Sequence, residues 1–112
     1  MKVIIAGGRE FNNYELLREI CDGLIPINSE IVSGGARGTD KLGEIYSKEK
    51  DYDLKVFPAD WSKGKGAGHI RNRQMAEYGD MLIAFWDGES KGTLNMINTA
   101  KKLELIVHVH KY

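Results

Sequence analysis

Apolar residues in this chain fall into five short runs, separated by longer segments in which apolar positions recur every three or four residues. The runs are Val3–Ala6, Ile31–Ser33, Leu54–Phe57, Met81–Phe85 and Leu105–Val109. Short apolar runs predict buried strands, and the longer spacing predicts helices between them. Strict alternation of strand and helix predicts an α/β fold with a mainly parallel five-stranded sheet and helices on both faces. We expect Met81–Phe85, the most hydrophobic run, to be the central strand.

Residues that favour helix starts precede the predicted helices. Asn12 or Asn13 caps the first helix, and Glu15 is placed to complete a capping box from Asn12. The second helix follows a glycine-rich turn, and Ile45 belongs to its apolar face. Thr93 is placed to cap the last helix.

The unusual residues gather in the four loops that leave the carboxyl ends of the first four predicted strands. These loops are Gly7–Asn13, Gly34–Asp40, Pro58–Gly68 and Trp86–Gly92, and they are richer in glycine and polar residues than the opposite loops. Parallel α/β sheets bind ligands beyond the carboxyl ends of their strands, at the switch in strand order. The sequence therefore predicts a ligand site at this edge.

The strongest signal is the turn from Ser33 to Asp40, which has glycine at positions 34, 35 and 38. Such a turn permits a nest of backbone N–H donors, and the helix that follows adds the positive end of its dipole. We expect a phosphate or another anion on the amides of Gly34 to Thr39. Asp40 either stabilises the first helical turn or accepts a hydrogen bond from a ribose hydroxyl. The Gly-Lys-Ser/Thr sequence of a Walker loop is absent.

Two further segments supply candidate contacts to the same ligand. Gly7-Gly8-Arg9 follows the first strand, and the Arg9 guanidinium can form two hydrogen bonds with a phosphate or a carboxylate. Arg71 and Asn72 lie near the start of the third helix, where they can reach the glycine loops. Trp61 either stacks on a base or packs as a lid on the core.

The loop after the fourth strand carries both an anion site and acidic residues. Gly92 and Thr93 form a second helix start suited to an anion. Asp87 and Glu89 are carboxylates that could serve acid–base catalysis, or they are ordinary loop acids.

Composition narrows the possible classes of protein. Lys plus Arg equals Asp plus Glu at 16 each, and this zero net charge weighs against a dedicated duplex-DNA binder. A length of 112 residues predicts one domain, residues 1–112. The single cysteine, Cys21, falls on an apolar helix face and is expected in the core.

No run approaches the ~20 apolar residues of a membrane span, and no signal-peptide pattern is visible, so we expect a cytoplasmic protein. We assign no metal site.

Together these motifs resemble the SLOG superfamily, and within it the small YspA/YpsA-related domains. The matching pieces, in chain order, are Gly7-Gly-Arg-x-Phe-x-x-Tyr14, Ser33-Gly-Gly-Ala-Arg-Gly-Thr-Asp40, Phe57-Pro-Ala-Asp-Trp61, Gly66-Ala-Gly-His-x-Arg-Asn-x-x-Met75 and Ala84-Phe-Trp-Asp-Gly-x-Ser-x-Gly-Thr93. The resemblance implies a three-layer Rossmann-like fold, a nucleotide-type ligand at the edge described above, and a homo-oligomer.

Two relatives within that superfamily imply different activities. Lonely Guy phosphoribohydrolases carry Arg-Lys-x-x-Met and a later Gly-Thr-x-x-Glu with a catalytic Glu. This chain has Asn72 in place of the Lys and Met96 in place of the Glu, which disfavours the same hydrolysis. The DNA-processing protein A family has a turn very similar to residues 33–40 and binds single-stranded DNA. That family uses a basic groove and additional domains, which this neutral chain lacks.

Three functional hypotheses follow. The first is a domain that binds a nucleotide or a nucleotide-derived small molecule as a sensor or sequestering protein. The second is a nucleoside-monophosphate N-glycosidase without the usual Glu, with Arg71, Asp87 and Glu89 as catalytic candidates. The third, disfavoured, is single-stranded nucleic-acid binding through Lys63, Lys65, Arg71 and Arg73. We assign no definite cofactor, and the predicted ligand-binding residues are Gly7, Gly8, Arg9, Ser33, Gly34, Gly35, Ala36, Arg37, Gly38, Thr39, Asp40, Trp61, Arg71, Asn72, Asp87, Ser90, Gly92 and Thr93.

Overall fold

The computed structural model describes residues 1–112 as five strands and four helices in strict alternation. The strands are β1 (Lys2–Gly7), β2 (Glu30–Ser33), β3 (Asp53–Val56), β4 (Met81–Trp86) and β5 (Ile106–Lys111). The helices are α1 (Tyr14–Leu24), α2 (Thr39–Glu49), α3 (Ala67–Tyr78) and α4 (Lys91–Lys102). All five strands are parallel, so the predicted α/β class is confirmed.

The strand order is β3-β2-β1-β4-β5, which places the switch in strand order between β1 and β4. The middle strand is therefore β1, and the prediction that Met81–Phe85 is central was wrong. Strand β4 is buried on both faces like β1, because helices cover both faces of the sheet at these two strands. A continuous apolar run indicates burial on both faces, but not which interior position a strand occupies.

The two faces of the sheet carry separate cores. On one face, Val3 and Ile5 of β1 pack with Leu17 and Cys21 of α1 and with Tyr46 of α2. The opposite face packs against α3 and α4, completing the three layers. Burial raises the pKa of the Cys21 thiol to about 12, so this cysteine is a small core residue, as predicted.

The helix starts differ in detail from the predicted ones. Asn13 caps α1 by accepting a hydrogen bond from the Leu16 amide at 3.1 Å, so the capping box from Asn12 does not form. Ser90, not Thr93, caps α4, because the helix begins at Lys91 and the Ser90 hydroxyl accepts from the Thr93 amide. In both cases several adjacent polar residues could serve as the cap, and the spacing alone did not decide between them.

The buried face of α2 and the segment before α3 also differ from the predictions. Ile45 does not lie on the buried face of α2, since its side chain is 53% exposed while Tyr46 is fully buried. The segment predicted as a loop before α3 contains a 3₁₀ helix at Trp61–Gly66, which is interrupted at Gly64 by a positive φ. None of the helices has both the length and the apolar character needed to span a membrane.

Candidate functional site

A cleft of about 450 Å³ opens at the carboxyl edge of the sheet, where the strand order switches between β1 and β4. All four predicted loops contribute to its walls. The predicted ligand-binding residues that line it are Gly7, Gly8, Arg9, Ala36, Asp40, Trp61, Arg71, Asn72, Asp87, Ser90, Gly92 and Thr93. The structure thus brings distant segments of the chain together at the predicted edge of the sheet.

The other predicted residues lie outside this cleft. From the glycine-rich turn these are Ser33, Gly34, Gly35, Arg37, Gly38 and Thr39. The catalytic candidate Glu89 also does not line the cleft. Arg37 points to the surface, where it forms an exposed ion pair with Glu10 at 2.6 Å. The segment with the strongest sequence signal therefore contributes only Ala36 and Asp40 to the cleft.

The glycine-rich turn is closed by hydrogen bonds within the chain. The Gly35 amide donates to the Ser33 hydroxyl at 3.0 Å, and the Ala36 amide donates to the Asp40 carboxylate at 3.1 Å. The Thr39 amide donates to the carbonyl of Gly8 at 3.1 Å. Three of the amides expected to receive an anion therefore already have acceptors.

The same turn is docked against the loop that follows β1. Thr39 donates its hydroxyl to the Gly8 carbonyl at 3.0 Å, in addition to the amide bond. Gly38 has φ +75°, and a Cβ there would lie 2.4 Å from the Arg9 carbonyl oxygen. Only glycine fits this contact without displacing backbone. The turn therefore fixes the position of Gly8 and Arg9 at the rim of the cleft.

Arg71 is the best-oriented cation in the cleft. Its side chain is half-buried, its Nη1 donates to the Gly34 carbonyl, and its Nε donates to the Asn72 side-chain oxygen at 3.1 Å. Burial lowers the pKa of Arg71, the nearby Asp40 opposes that effect, and Arg9 reinforces it. Arginine stays protonated even when it is partly buried, so Arg71 remains a cation. Because it is partly desolvated and lies near Arg9, an anion that binds beside it is stabilised.

Asn72 is a positioning residue between two helices. Its amide nitrogen donates to the Asn95 side-chain oxygen at 3.0 Å and to the Gly92 carbonyl at 3.4 Å, while its oxygen holds Arg71. The side chain is buried, and it links α3 to the start of α4. A lysine, which carries no acceptor, could not hold Arg71 in this way.

Asp40 is a buried carboxylate that lines the cleft. Burial raises the pKa of its side chain to about 6, and the Ala36 amide and Arg71 partly offset this increase. A carboxylate with a raised pKa in a cleft is characteristic of functional sites, because burying an ionised group costs stability. Its carboxylate accepts from the Ala36 amide in the turn before α2, and its hydrogen bond to a ribose hydroxyl stays a prediction.

The start of α4 contributes more residues to the cleft than the glycine-rich turn does. Asp87 accepts hydrogen bonds from the Ser90 and Glu89 amides at 2.8 Å, and these hold the pKa of its carboxyl below the usual value. No protein acceptor takes the amides of Lys91 and Gly92. A Cβ on Gly92 would meet nothing within 4 Å, so the backbone there is open to a ligand.

Aromatic residues stand at the rim of the cleft. Trp61 is 60% exposed and rests against Gly68 at the start of α3, so it is not a lid packed on the core. Tyr112 also lines the cleft, with its ring 4.7 Å from that of Phe11 and its hydroxyl against Gly8. Tyr112 was not among the predicted residues, because only the exits of the first four strands were considered, although β5 also ends at this edge.

Met96, the residue at the place where the resemblance to Lonely Guy phosphoribohydrolases implies a Glu, also lies in the cleft. Its side chain lines the cleft wall and is buried. The remaining lining residues are Ala6, Glu10, Lys65, Gly68, His69 and Met75. Nowhere do three His, Cys, Asp or Glu side chains come together as a group that could hold a metal ion.

The four cations of the nucleic-acid hypothesis do not form one row. Lys65 and Arg71 line the cleft, whereas Lys63 lies outside it. Arg73 is two positions along α3 from Arg71, so it projects from a different side of the helix. It forms an exposed ion pair with Glu77 at 3.5 Å.

Together the sheet order and the cleft define a Rossmann-like α/β protein with a ligand cleft at the switch point. Residues 1–64 match the sequence model of the YspA, cpYpsA-related SLOG family (YAcAr). The match covers more than half of the chain, so the chain belongs to this family. No curated protein and no solved structure matched the chain. Membership of a SLOG family suggests a function related to nucleotide-type ligands.

Proposed function

We propose that the cleft binds a nucleotide or a nucleotide-derived small molecule, and that the protein works as a sensor or a sequestering domain. The observation that carries the proposal is the half-buried Arg71, which is held by Gly34 and Asn72 in a cleft that also contains the open start of α4. A preorganised guanidinium and free helix amides are two independent ways of attracting a phosphate.

The phosphate end of the ligand belongs near Arg71. Arg9 and Lys65 line the same cleft and add positive charge, and the amides of Lys91 and Gly92 are free to donate. This assignment differs from the sequence-based one, which placed the phosphate on Gly34 to Thr39. The reason is that the chain itself accepts hydrogen bonds from Gly35, Ala36 and Thr39. The other residues of this segment, Gly34, Arg37 and Gly38, do not line the cleft.

The base end of the ligand belongs near Trp61. Its indole is exposed at the rim, where it offers a flat apolar surface that is available for stacking. The cleft of about 450 Å³ falls within the range of roughly 300–1,000 Å³ that is common for small-molecule sites. Its size is therefore compatible with a mononucleotide.

The test is a binding series with a matched pair of arginine variants. Native mass spectrometry of protein purified from its source should report a retained nucleotide, and titration calorimetry with that compound should give its affinity. Arg71→Ala should weaken binding by roughly tenfold to a hundredfold, since a charge-assisted hydrogen bond contributes about 1.5–3 kcal/mol. Arg73→Ala, on the same helix but paired with Glu77, should leave the affinity unchanged. Equal affinity of the Arg71 variant and the wild type would contradict the proposal, as would no binding across mono-, di- and cyclic nucleotides.

One observation favours an enzyme as a second candidate. Asp40 lines the cleft with a raised pKa of about 6, which suits a proton donor or acceptor near neutral pH. It is a better candidate than Asp87, whose pKa is held low, or Glu89, which lies outside the cleft. Incubation of the folded protein with nucleoside monophosphates should then release free base, and Asp40→Asn should abolish the release. An absence of free base with wild-type protein that binds the nucleotide would reject the enzyme and keep the binding protein.

A further inference from the structure

Strand β3 forms one edge of the sheet, and it is the most exposed strand in the molecule. All its residues, Asp53 to Val56, are exposed, including two apolar side chains, Leu54 at 41% and Val56 at 39%. Ile45 of α2 lies beside Leu54 in the same surface groove and is also exposed. An exposed edge strand with apolar side chains is a surface that readily pairs with another strand.

The backbone of β3 leaves hydrogen-bonding groups unpaired along this edge. The Phe57 amide donates inward to the Ser33 carbonyl at 2.8 Å. Backbone groups of successive strand residues point to opposite sides, so the amides and carbonyls of Leu54 and Val56 point away from β2. These groups are available to a second strand.

We propose that β3 is a homodimer interface, in which two copies pair antiparallel about a twofold axis at Leu54 and extend the sheet. Each copy then donates its Leu54 amide to the partner's Leu54 carbonyl and its Val56 amide to the partner's Tyr52 carbonyl. The apolar side chains on the α2 side of the sheet form one continuous strip across the axis. This interface goes beyond the ligand cleft and does not depend on it.

The charges on β3 specify this register. A twofold axis at Leu54 places Asp53 opposite the partner's Lys55, and by symmetry Lys55 opposite the partner's Asp53. Shifting the axis to Lys55 opposes two lysines, and shifting it to Asp53 opposes two aspartates. Opposite charges directly across an antiparallel pair stabilise it and like charges destabilise it. The short sequence of β3 is therefore self-complementary in one register.

The other edge of the sheet lacks this complementarity. Strand β5, from Ile106 to Lys111, contains two histidines and a lysine but no acidic residue. Two copies of β5 therefore have no carboxylate to pair with a cation across a twofold axis. This difference selects β3 over β5 for the partner copy.

The test reverses one charge on β3 and then exchanges both charges in a double variant. Sedimentation velocity over a range of protein concentrations measures dimerisation of each variant. Wild-type protein should show a concentration-dependent dimer. K55E places two acids opposite each other and should raise the dissociation constant by roughly tenfold or more. D53K/K55D exchanges the charges and should restore dimerisation to about the wild-type level. V109D, an exposed position on β5, is the matched control and should leave the dimer intact.

A backbone variant tests the interface without changing charge. L54P removes the outward amide, and proline is tolerated in an edge strand where the N–H faces solvent. The variant should be monomeric, with a far-ultraviolet circular dichroism spectrum like that of the wild type. If it fails to fold, the charge pair carries the test alone. A wild type that stays monomeric, a K55E variant that dimerises normally, a folded double variant that is not restored, or a V109D variant that loses the dimer would overturn the proposal.

Discussion

The two glycine-bearing turns at the carboxyl edge differ in what their amides contact and in how much of each turn lines the cleft. The turn before α2 has three glycines, and its amides at Gly35, Ala36 and Thr39 are bonded within the chain. The turn before α4 has fewer glycines. Its Glu89, Ser90 and Thr93 amides donate only to side chains two or three positions away, and the amides of Lys91 and Gly92 have no acceptor in the chain. Glycine content therefore does not reveal whether a turn binds a ligand or another part of the chain. What decides it is which groups accept hydrogen bonds from the amides of the turn. For Thr39 the acceptor is the Gly8 carbonyl, in a loop that is distant in sequence.

The largest expected effect is on stability, and it is measured by replacing one glycine of each turn with alanine. Gly38→Ala should reduce the free energy of unfolding by about 3–5 kcal/mol, because a Cβ would collide with the Arg9 and Gly8 carbonyls at a positive φ. Gly92→Ala should be neutral or stabilising by up to about 1 kcal/mol, since its position is open and helical. Urea unfolding of both variants measures the difference. Similar losses at the two positions would show that the turns do not differ as described.

Features that depend on residues close together in sequence could be predicted from it. Features that depend on contacts between distant segments could not. The alternation of strands and helices, the edge that holds the site, and the place of Arg71 near a helix start all follow from local periodicity. The bond from Arg71 to the Gly34 carbonyl joins residues 37 positions apart, and no local pattern reveals it. Likewise, nothing near Thr39 in sequence indicates that Gly8 would accept its amide. Local patterns located the loops, whereas contacts between loops decided which amides stay free.

The next effect concerns the buried acid of the closed turn. The pKa of Asp40 is raised to about 6, so the folded protein holds this proton more tightly than the unfolded chain does. The free energy of unfolding should therefore fall as the pH rises from about 4 to about 6, and stay lower above that. Asp40→Asn keeps an acceptor for the Ala36 amide without the buried charge.

We expect Asp40→Asn to stabilise the protein by roughly 2–4 kcal/mol at pH 7.5 and by little at pH 4, because one pKa unit corresponds to about 1.4 kcal/mol. Thermal unfolding across this pH range is the measurement. A variant less stable than the wild type at pH 7.5 would show that the Asp40 charge is stabilising there.

A smaller effect tests the link between the two turns. Asn72 holds Arg71, which reaches the closed turn, and it also contacts Asn95 and Gly92 of α4. Asn72→Ala should lower the free energy of unfolding by about 1–2 kcal/mol through lost buried hydrogen bonds. Because Arg71 would lose one of its supports, the affinity of the cleft for its ligand should also fall, by roughly tenfold. Calorimetric titration under conditions where the variant is fully folded separates the two effects. Unchanged affinity would show that Gly34 alone suffices to orient the guanidinium.

The smallest effect concerns the caps, where the two turns differ again. The cap of α2 is Gly38, which has no side chain to offer, whereas Ser90 caps α4 through its hydroxyl. Ser90→Ala should cost about 1 kcal/mol, and Ser90→Gly only a few tenths, because glycine leaves the terminal amides accessible to water. Chemical denaturation of the two variants measures this order. The reverse order would mean that the Ser90 hydroxyl contributes little, and that the start of α4 is held mainly by Asp87, which binds the Ser90 and Glu89 amides.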